Sequence, residues 1–239
     1  MSSNDRETDL TSGEIMIRQF GIYLSDEVDH WTGSRFVDQT RTVLALFERH
    51  LKPPRESGKM WKISIEVVSK VRKPKVREVL GHVKIQIEDN STAFFDLTAE
   101  EKKRQTLDWL FRGIEIVTQA YGWDMKPYED AREAVLDLNY VNHWTWKKRA
   151  WWRNGRRLVA EVFVEHEVEV FRVHIQLRNR SGEVLERTLV ISERPDEFIF
   201  SKYFGALQWI DDHTVKLISK SWSDEPDKSV TFDQRHFPD

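Results

Sequence analysis

The sequence predicts an α+β protein, in which an N-terminal βαββα layer with helices on one face of an antiparallel sheet is followed by a C-terminal antiparallel β-meander. Apolar residues recur at helical spacing in long segments before residue 140, flanked by short runs that alternate apolar and polar residues. From about residue 141 the helical spacing disappears, and alternating runs are separated by turn sequences such as NG, RSGE and ERPDE. The chain therefore divides into a disordered tail over 1–14, an α/β two-layer region over 15–140 and an antiparallel β region over 141–239, which is either separate from the first sheet or continuous with it.

The first strand and the first helix follow from a change of period. The tail holds too few apolar side chains to offset the entropy of ordering. The β-branched and aromatic run from Ile15 to Leu24 predicts a strand. Apolar residues from Phe36 to Leu51 then recur at helical spacing, with Ser34 as the expected N-cap and Pro53-Pro54 as the end of the helix.

Two alternating runs predict a long antiparallel hairpin. The first places Trp61, Ile63, Ile65 and Val67 on one face, and the second, from Val79 to Ile87, repeats the pattern. A basic connection joins the two runs at the tip of the expected hairpin. Its cationic residues are Lys70, Arg72, Lys73, Lys75 and Arg77.

Local signals mark the next two helices. Thr98 and Glu101 form the T-x-x-E pattern of a capping box, and Gly122 is positioned to end that helix. A shorter helix from about Tyr128 to Leu138 follows Pro127. These elements complete the βαββα layer and add one helix to it.

The segment from Val141 to Leu158 is the most conspicuous in the chain, with four tryptophans and six arginines or lysines. Within it, Asn154-Gly155 predicts a two-residue type I′ turn, because both residue types accept a positive φ. That turn would set Arg153 opposite Arg156, Trp152 opposite Arg157, Trp146 opposite Phe163 and Trp144 opposite Glu165. We therefore interpret these tryptophans first as cross-strand partners in a sheet.

The same segment supports an alternative, a nucleic-acid-binding module. The other side of the ribbon carries Lys147, Arg149 and Trp151, and single-strand binders combine aromatic rings with a cationic groove. The basic hairpin tip from Lys70 to Arg77 would add phosphate contacts. This function requires exposed rings and predicts an affinity that falls steeply with salt.

Composition narrows the classes of function. The 239 residues carry a formal net charge of -3 with the two signs interleaved, which argues against a general polyanion binder. The absence of cysteine removes disulfides, thiolate nucleophiles and cysteine-based zinc sites, and it favours a reducing compartment. The polar, acidic start predicts no signal peptide, and no apolar run is long enough to cross a membrane. We therefore expect a cytoplasmic protein.

The familiar catalytic motifs are missing from the sequence. It contains no G-x-G, G-x-S-x-G or H-E-x-x-H pattern. His166 and His174 lie near Glu165, Glu167 and Glu169, so a His/carboxylate metal site on adjacent strands is one hypothesis. Alternating Glu and Val is more typical of a half-exposed strand, so we expect no metal and no cofactor. An enzyme whose site is assembled from distant His and Glu residues is the third class of function.

Acidic residues cluster in the predicted connectors, which favours binding to a basic partner. They are Asp26, Glu27, Asp29, Asp211, Asp212, Asp224 and Glu225. The aromatic segment from Phe198 to Ile210 is expected to be core rather than a docking patch. The leading interpretation is a cytoplasmic, non-enzymatic protein-binding protein without membrane association, such as an immunity-type factor that neutralises a toxin.

Overall fold

The structure is a computed structural model that describes residues 17–24, 28–52, 60–152, 154–155 and 157–237, except for the side chain of Phe198. It confirms the α+β class, with helices in the N-terminal half and antiparallel sheets in the C-terminal half. The expected tail over 1–14 lies outside the described residues. Among the described helices, none combines the length and the apolar character that crossing a membrane requires.

The N-terminal half contains a four-stranded sheet and three helices. The elements are β1 (Gln19–Leu24), α1 (His30–His50), β2 (Lys62–Val68), β3 (Arg77–Val79), β4 (His82–Glu88), α2 (Ala99–Tyr121) and α3 (Lys126–Asp137). The sheet has the order β1-β2-β4-β3, in which β1, β2 and β4 are parallel and β3 is antiparallel to β4.

The predicted antiparallel hairpin between the second and third long strands is wrong, because β2 and β4 run parallel. Leu80 and Gly81 both have positive φ, 52° and 77°, and Val79 pairs with His82, so these two residues form a tight turn. The alternating run therefore contains a turn that its periodicity conceals. After β2 the chain continues to the outer edge of the sheet, where it forms β3. It then turns back and forms β4, which lies between β2 and β3.

The helices cover one face of this sheet, as the sequence predicts. Ile65 of β2 and Ile85 of β4 are buried in the first core, against Phe47 of α1 and Leu110 of α2. Helix α2 lies so close to β2 that a Cβ atom added at Gly113 would come within 2.4 Å of the Ile65 Cδ1 atom.

The caps of the helices explain where they begin and end. Helix α1 begins four residues before the predicted N-cap, because the Asp29 carboxylate accepts hydrogen bonds from the Trp31 and Thr32 amides. The capping box of Thr98 and Glu101 is present at the start of α2, and Gly122 ends it in the left-handed conformation with φ 66°. These two predictions are confirmed.

The C-terminal half consists of two antiparallel sheets that enclose a second core. Strands β5 to β8 form a four-stranded meander, and β11-β10-β9 is the order of a smaller sheet. Inward side chains such as Val162, Ile175, Val215 and Leu217 meet between them. The elements are β5 (His143–Trp151), β6 (Leu158–His166), β7 (Phe171–Asn179), β8 (Val184–Glu193), α4 (Glu197–Phe200), β9 (Ala206–Trp209), β10 (Thr214–Ile218) and β11 (Lys228–Thr231).

The register predicted for the β5–β6 hairpin is wrong by one residue near the turn. Trp151 pairs with Val159, and the Trp152 amide donates to the Leu158 carbonyl oxygen, so five residues of sequence separate the two hydrogen-bonded positions instead of the predicted two. A bulge then places residues 146–148 opposite Val162. Beside this longer connection, Trp152 is 4% exposed and its indole N–H donates a hydrogen bond to the carbonyl oxygen of Asp212.

The cross-strand pairs predicted for Trp144, Trp146 and Trp152 are therefore wrong, but these rings do serve the architecture of the sheet, as the broader interpretation predicts. Trp152 belongs to the second core, and Trp144 and Trp146 pack against it. In the segment from Phe198 to Ile210, Phe200, Tyr203 and Leu207 are buried in the same core. Aromatic residues in both segments therefore serve packing.

The two halves meet at a buried polar joint, formed mainly by α1 and the turn after β6. Asn142 Nδ2 donates to the Thr42 carbonyl oxygen over 2.8 Å, and the Thr42 hydroxyl donates to the His166 carbonyl oxygen. Lys102 and Lys103 of α2 extend into this joint, where they form ion pairs with carboxylates of the turn after β6. The joint fixes the orientation of the halves through directional bonds.

Candidate binding surface

The candidate functional site is the outer face of the β5–β8 sheet, which is the face opposite the second core. Directly paired residues of neighbouring strands point to the same face. Register therefore sorts the outward side chains into rows that cross the sheet. We define the outer face by three of these rows: Trp151, Val159, Arg178 and Val184; Arg149, Glu161, Gln176 and Arg187; and Thr145, Phe163, His174 and Leu189.

A buried carboxylate organises the middle of this face. The Glu161 side chain is 1% exposed; one of its oxygens forms an ion pair with Arg149 Nε at 3.1 Å, and the other accepts a hydrogen bond from Arg178 Nη1 at 3.0 Å. Gln176 Nε2 donates to the same carboxylate at 3.3 Å. A buried charge needs such compensation, because its desolvation alone costs several kcal/mol. Glu161 thus holds two guanidinium groups at fixed positions.

An aromatic ring continues the network. The Arg187 guanidinium lies 4.0 Å from the centre of the Phe163 ring, and Arg187 Nε donates to Gln176 Oε1 at 3.0 Å. The rings of His143 and His174 approach Phe163 from two other sides. His174 is in turn paired with Glu165 at 2.9 Å. Phe163 is therefore bordered by charged and polar groups and is only partly exposed.

Exposed side chains surround this ordered centre. The Arg149 side chain is 51% exposed despite its ion pair, and Trp151 is 50% exposed in the adjacent row. Leu189 and Val184, on the edge strand β8, are also exposed. Lys147 is exposed within the bulge of β5. The face thus combines fixed arginines with isolated apolar groups, a composition found at binding surfaces.

The structure separates the two groups of basic residues in the nucleic-acid alternative. Lys147, Arg149 and Trp151 are exposed on the β5–β8 sheet. Lys70, Arg72, Lys73, Lys75 and Arg77 flank β3 on the N-terminal sheet, at the crossing from β2 rather than at a hairpin tip. Arg77 pairs there with Glu66 at 3.6 Å. The basic crossing and the ribbon belong to different sheets, so they do not form one continuous strip.

Several acidic connector residues have local structural roles. The Asp29 carboxylate caps α1, and hydrogen bonds from Thr32 hold its pKa below the usual range. Asp211 accepts from the His213 and Thr214 amides within a turn. Glu225 accepts from Lys202 and Tyr203, and the Lys202 bond in particular lowers the pKa of Glu225. These carboxylates stabilise their own loops, which leaves them less available to a partner.

The other acidic residues give less information. Asp212 accepts from Asn154 Nδ2 at 3.4 Å and takes part in further interactions. Asp224 is exposed. Asp26 and Glu27 lie outside the described residues.

The hypothetical metal site does not form, because His166 and His174 point to opposite faces of the sheet. His174 lies on the outer face, whereas His166 is buried at the joint against Phe171 and Phe200. Burial lowers the pKa of His166 to about 3, and the nearby positive charge of Arg41 acts in the same direction. Within the described part of the chain, no cluster of three or more His, Asp or Glu side chains has the geometry to hold a metal ion.

A cavity of about 570 Å³ lies beside the joint, between β1, α1 and residues 196–201. Its main cation, Arg41, is bound by Glu48 at 2.8 Å and by Glu197 at 2.6 Å. Arg41 also donates to the Phe20 carbonyl oxygen at the edge of the sheet. These polar groups therefore hold β1, α1 and the C-terminal half together. Neither His166 nor His174 is among the described residues that line this cavity, so the cavity does not supply the His/Glu site of the enzyme hypothesis.

Sequence reasoning missed the residues at the centre of the outer face. Glu161, Arg178 and Arg187 become neighbours only through the register of β6, β7 and β8. The signal that could have found them is the alternation in FRVHIQLR, which places Arg172, His174, Gln176 and Arg178 on one side of a single strand. In comparisons with known proteins, the chain matches no family model, no curated protein and no solved structure.

Proposed function

We propose that this protein is a non-enzymatic binding protein that engages another protein through the outer face of the β5–β8 sheet. The observation that supports the proposal is the pair of arginines held by the buried Glu161, beside the half-exposed Trp151. Arginine and tryptophan are the residue types most enriched among the residues that dominate protein–protein binding energy. A partner of this face presents carboxylates to Arg149 and Arg178 and an apolar recess to Trp151.

Preorganisation strengthens this proposal. An exposed arginine loses side-chain entropy when a partner immobilises it, about 0.5–1.5 kcal/mol for each such side chain. On the outer face, Arg149 and Arg178 are already oriented by Glu161, and Arg187 is oriented by Phe163 and Gln176. A partner would therefore bind these groups with much of that entropy already lost during folding.

The decisive experiment compares two variants that remove similar exposed groups from different surfaces. The first is Trp151→Ala with Leu189→Asp, which changes the outer face. The matched control is Trp222→Ala with Lys220→Asp, because Trp222 is 67% exposed and carries Lys220 over its ring at 5.5 Å. Affinity capture from the native cell should recover a stoichiometric partner with the parent and with the control, but not with the outer-face variant.

Two results would contradict the proposal. One is a parent protein that recovers no stoichiometric protein, and the other is a partner that both variants retain. Thermal unfolding of each variant verifies that the fold survives. The immunity-type role is a specific form of this function, and a captured partner that is toxic alone and inactive in the complex would establish it.

Binding of single-stranded nucleic acid is the second candidate, because Lys147, Arg149 and Trp151 are all exposed on one sheet. Stacking platforms use several exposed rings. On the described outer face, Trp151 is half-exposed, while Phe163 is only partly exposed and has Arg187 over its ring, which favours a protein partner. The test is oligonucleotide binding by the parent protein at low salt. Binding that weakens steeply as salt rises, and that is lost in the variant Lys147→Ala with Arg149→Ala, would favour nucleic acid over a protein partner.

A further inference from the structure

A second surface, distinct from the outer face, lies where the β6–β7 ladder ends and the chain approaches its last described residues. It is a groove of about 590 Å³, within the range of small-molecule sites. One wall comes from the start of β6 and the β7–β8 turn, and the other from residues 235–237. We define this cationic groove by Arg157, Asn179, Arg180, Arg235, His236 and Phe237.

Two arginines line the groove at the end of the β6–β7 ladder. The ladder between β6 and β7 ends with Leu158 paired to Asn179, so the next residues outward are Arg157 and Arg180. Both line the groove and both are exposed. Two like charges that line one groove repel each other, most strongly at low salt. Within the described residues neither arginine forms an ion pair, so no described carboxylate offsets the repulsion between them.

The turn that carries Arg180 is rigid. Asn179 Oδ1 accepts from the Glu183 amide at 3.0 Å and from the Ser181 hydroxyl at 2.7 Å. Gly182 supplies the positive φ of 94° that the turn requires, and its amide donates to the Asn179 carbonyl oxygen. Arg180 therefore projects from a fixed backbone toward the groove.

The opposite wall contributes further positive charge. Arg235 forms an ion pair with Asp233 through Nε at 3.3 Å, which leaves its terminal amino groups for a ligand. His236 is mostly buried, and its Nε2 atom lies 3.4 Å from Glu186 but makes no hydrogen bond to it. Phe237 packs on Trp152 and His213 and provides an apolar floor.

We propose that the cationic groove binds a small phosphate monoester, with the phosphoryl group between Arg157 and Arg180. A dianion at this position would convert a repulsive pair into two attractive contacts. The planar arginine fork suits bidentate contact with phosphate oxygens better than lysine does. Arg235 completes the set of donors, and the organic part of the ester lies along Phe237.

The proposal is tested by calorimetric titration at low ionic strength with inorganic phosphate and with a nucleoside monophosphate. The parent should bind one equivalent of each probe, the monophosphate more tightly. Arg157→Gln and Arg180→Gln should each weaken binding by tenfold or more. The matched control is Lys73→Gln with Lys75→Gln, which removes two exposed cations from the basic crossing and should leave binding unchanged.

A second measurement follows from the repulsion. In phosphate-free buffer, Arg157→Gln should raise the melting temperature, whereas saturating monophosphate should raise that of the parent and not that of the variant. Two results would overturn the proposal. One is a lysine control variant that binds phosphate as weakly as the arginine variants do, and the other is a parent protein whose binding does not saturate at millimolar phosphate. A preference for a short oligonucleotide over the monophosphate, lost in the same arginine variants, would also overturn it by assigning the groove to nucleic acid.

Discussion

His166 donates a hydrogen bond from Nε2 to the carbonyl oxygen of Pro195, 3.2 Å away, inside the joint between the halves. A carbonyl oxygen can only accept, so the proton of the neutral ring is on Nε2. Nδ1 then accepts from Asn142 Nδ2 at 3.4 Å, and the same amide donates to the Thr42 carbonyl oxygen. The surrounding bonds therefore select one neutral tautomer of a buried imidazole.

Burial of this imidazole predicts acid sensitivity. The pKa of His166 falls from its ordinary 6.5 to about 3 on folding, so between these values the unfolded chain binds the extra proton. The contribution to stability is fully present above pH 6.5 and is lost as the pH falls. We expect the free energy of unfolding to drop by about 1.4 kcal/mol per pH unit below 6.5 from this group. Urea unfolding between pH 7 and 4.5 measures the slope.

Variants separate this residue from the other histidines. His166→Phe should lower stability at pH 7 and flatten the slope between pH 6.5 and 4.5. His30→Gln, at an exposed position on α1, should leave the slope unchanged. An unchanged slope in His166→Phe would show that another group causes the acid sensitivity.

The network around Glu161 predicts an asymmetry between its partners. Arg149→Ala with Arg178→Ala leaves a carboxylate that is 1% exposed without its cations, and we expect a loss of about 3–5 kcal/mol. Glu161→Gln leaves two arginines that can turn toward solvent, and it should cost about 1 kcal/mol. Adding Glu161→Leu to the double arginine variant should recover most of the loss. Chemical denaturation of the four proteins tests this order, and equal losses in the first two variants would contradict it.

Close packing of α2 on β2 predicts opposite effects for two helical glycines. Gly113→Ala would place a methyl group 2.4 Å from Ile65 Cδ1, so it should destabilise the protein by about 1–3 kcal/mol. Gly33→Ala, in α1, has its nearest atom at 3.8 Å and should stabilise the protein by about 0.5–1 kcal/mol through helix propensity. Melting temperatures of the two variants give the comparison, and a neutral Gly113→Ala would show that Ile65 moves aside.

The acidic connectors predict a further contrast. Asp29→Ala removes the N-cap of α1 and should lower the melting temperature, because two amide donors lose their acceptor. Asp224→Ala, at an exposed site, should change stability by less than about 0.5 kcal/mol. If Asp29→Ala instead weakened partner capture while stability stayed constant, the acidic-loop interpretation would be favoured over the outer face.

Local sequence signals predict where individual helices begin and end, but they do not predict which strands lie beside each other. Thr98, Glu101 and Gly122 act within a few residues of sequence, and the structure shows each in its predicted role. The parallel arrangement of β2 and β4 depends instead on the turn at Leu80 and Gly81. This turn leaves no mark in the sequence, because the alternation of apolar residues continues through it. Periodicity reports the face of a strand and gives no information on which strand lies beside it.

The candidate surface was only partly predictable for the same reason. The sequence places Lys147, Arg149 and Trp151 on one side of the ribbon, opposite the packed tryptophans, and their exposure agrees with that. The register set by a two-residue turn at Asn154-Gly155 would place Lys148 opposite Glu161, whereas the longer connection places Arg149 there. One error in a loop length thus hid the charge that organises the face.

The buried joint has a consequence for synthesis of the chain on the ribosome. Arg41 and Thr42 emerge early, but Glu197 and His166, which bind them, lie 156 and 124 residues later. Until then the polar side of α1 lacks those partners, and a nascent N-terminal half can pack its apolar core without completing the joint. Native docking of the two halves is therefore a late event, after most of the polypeptide has left the exit tunnel.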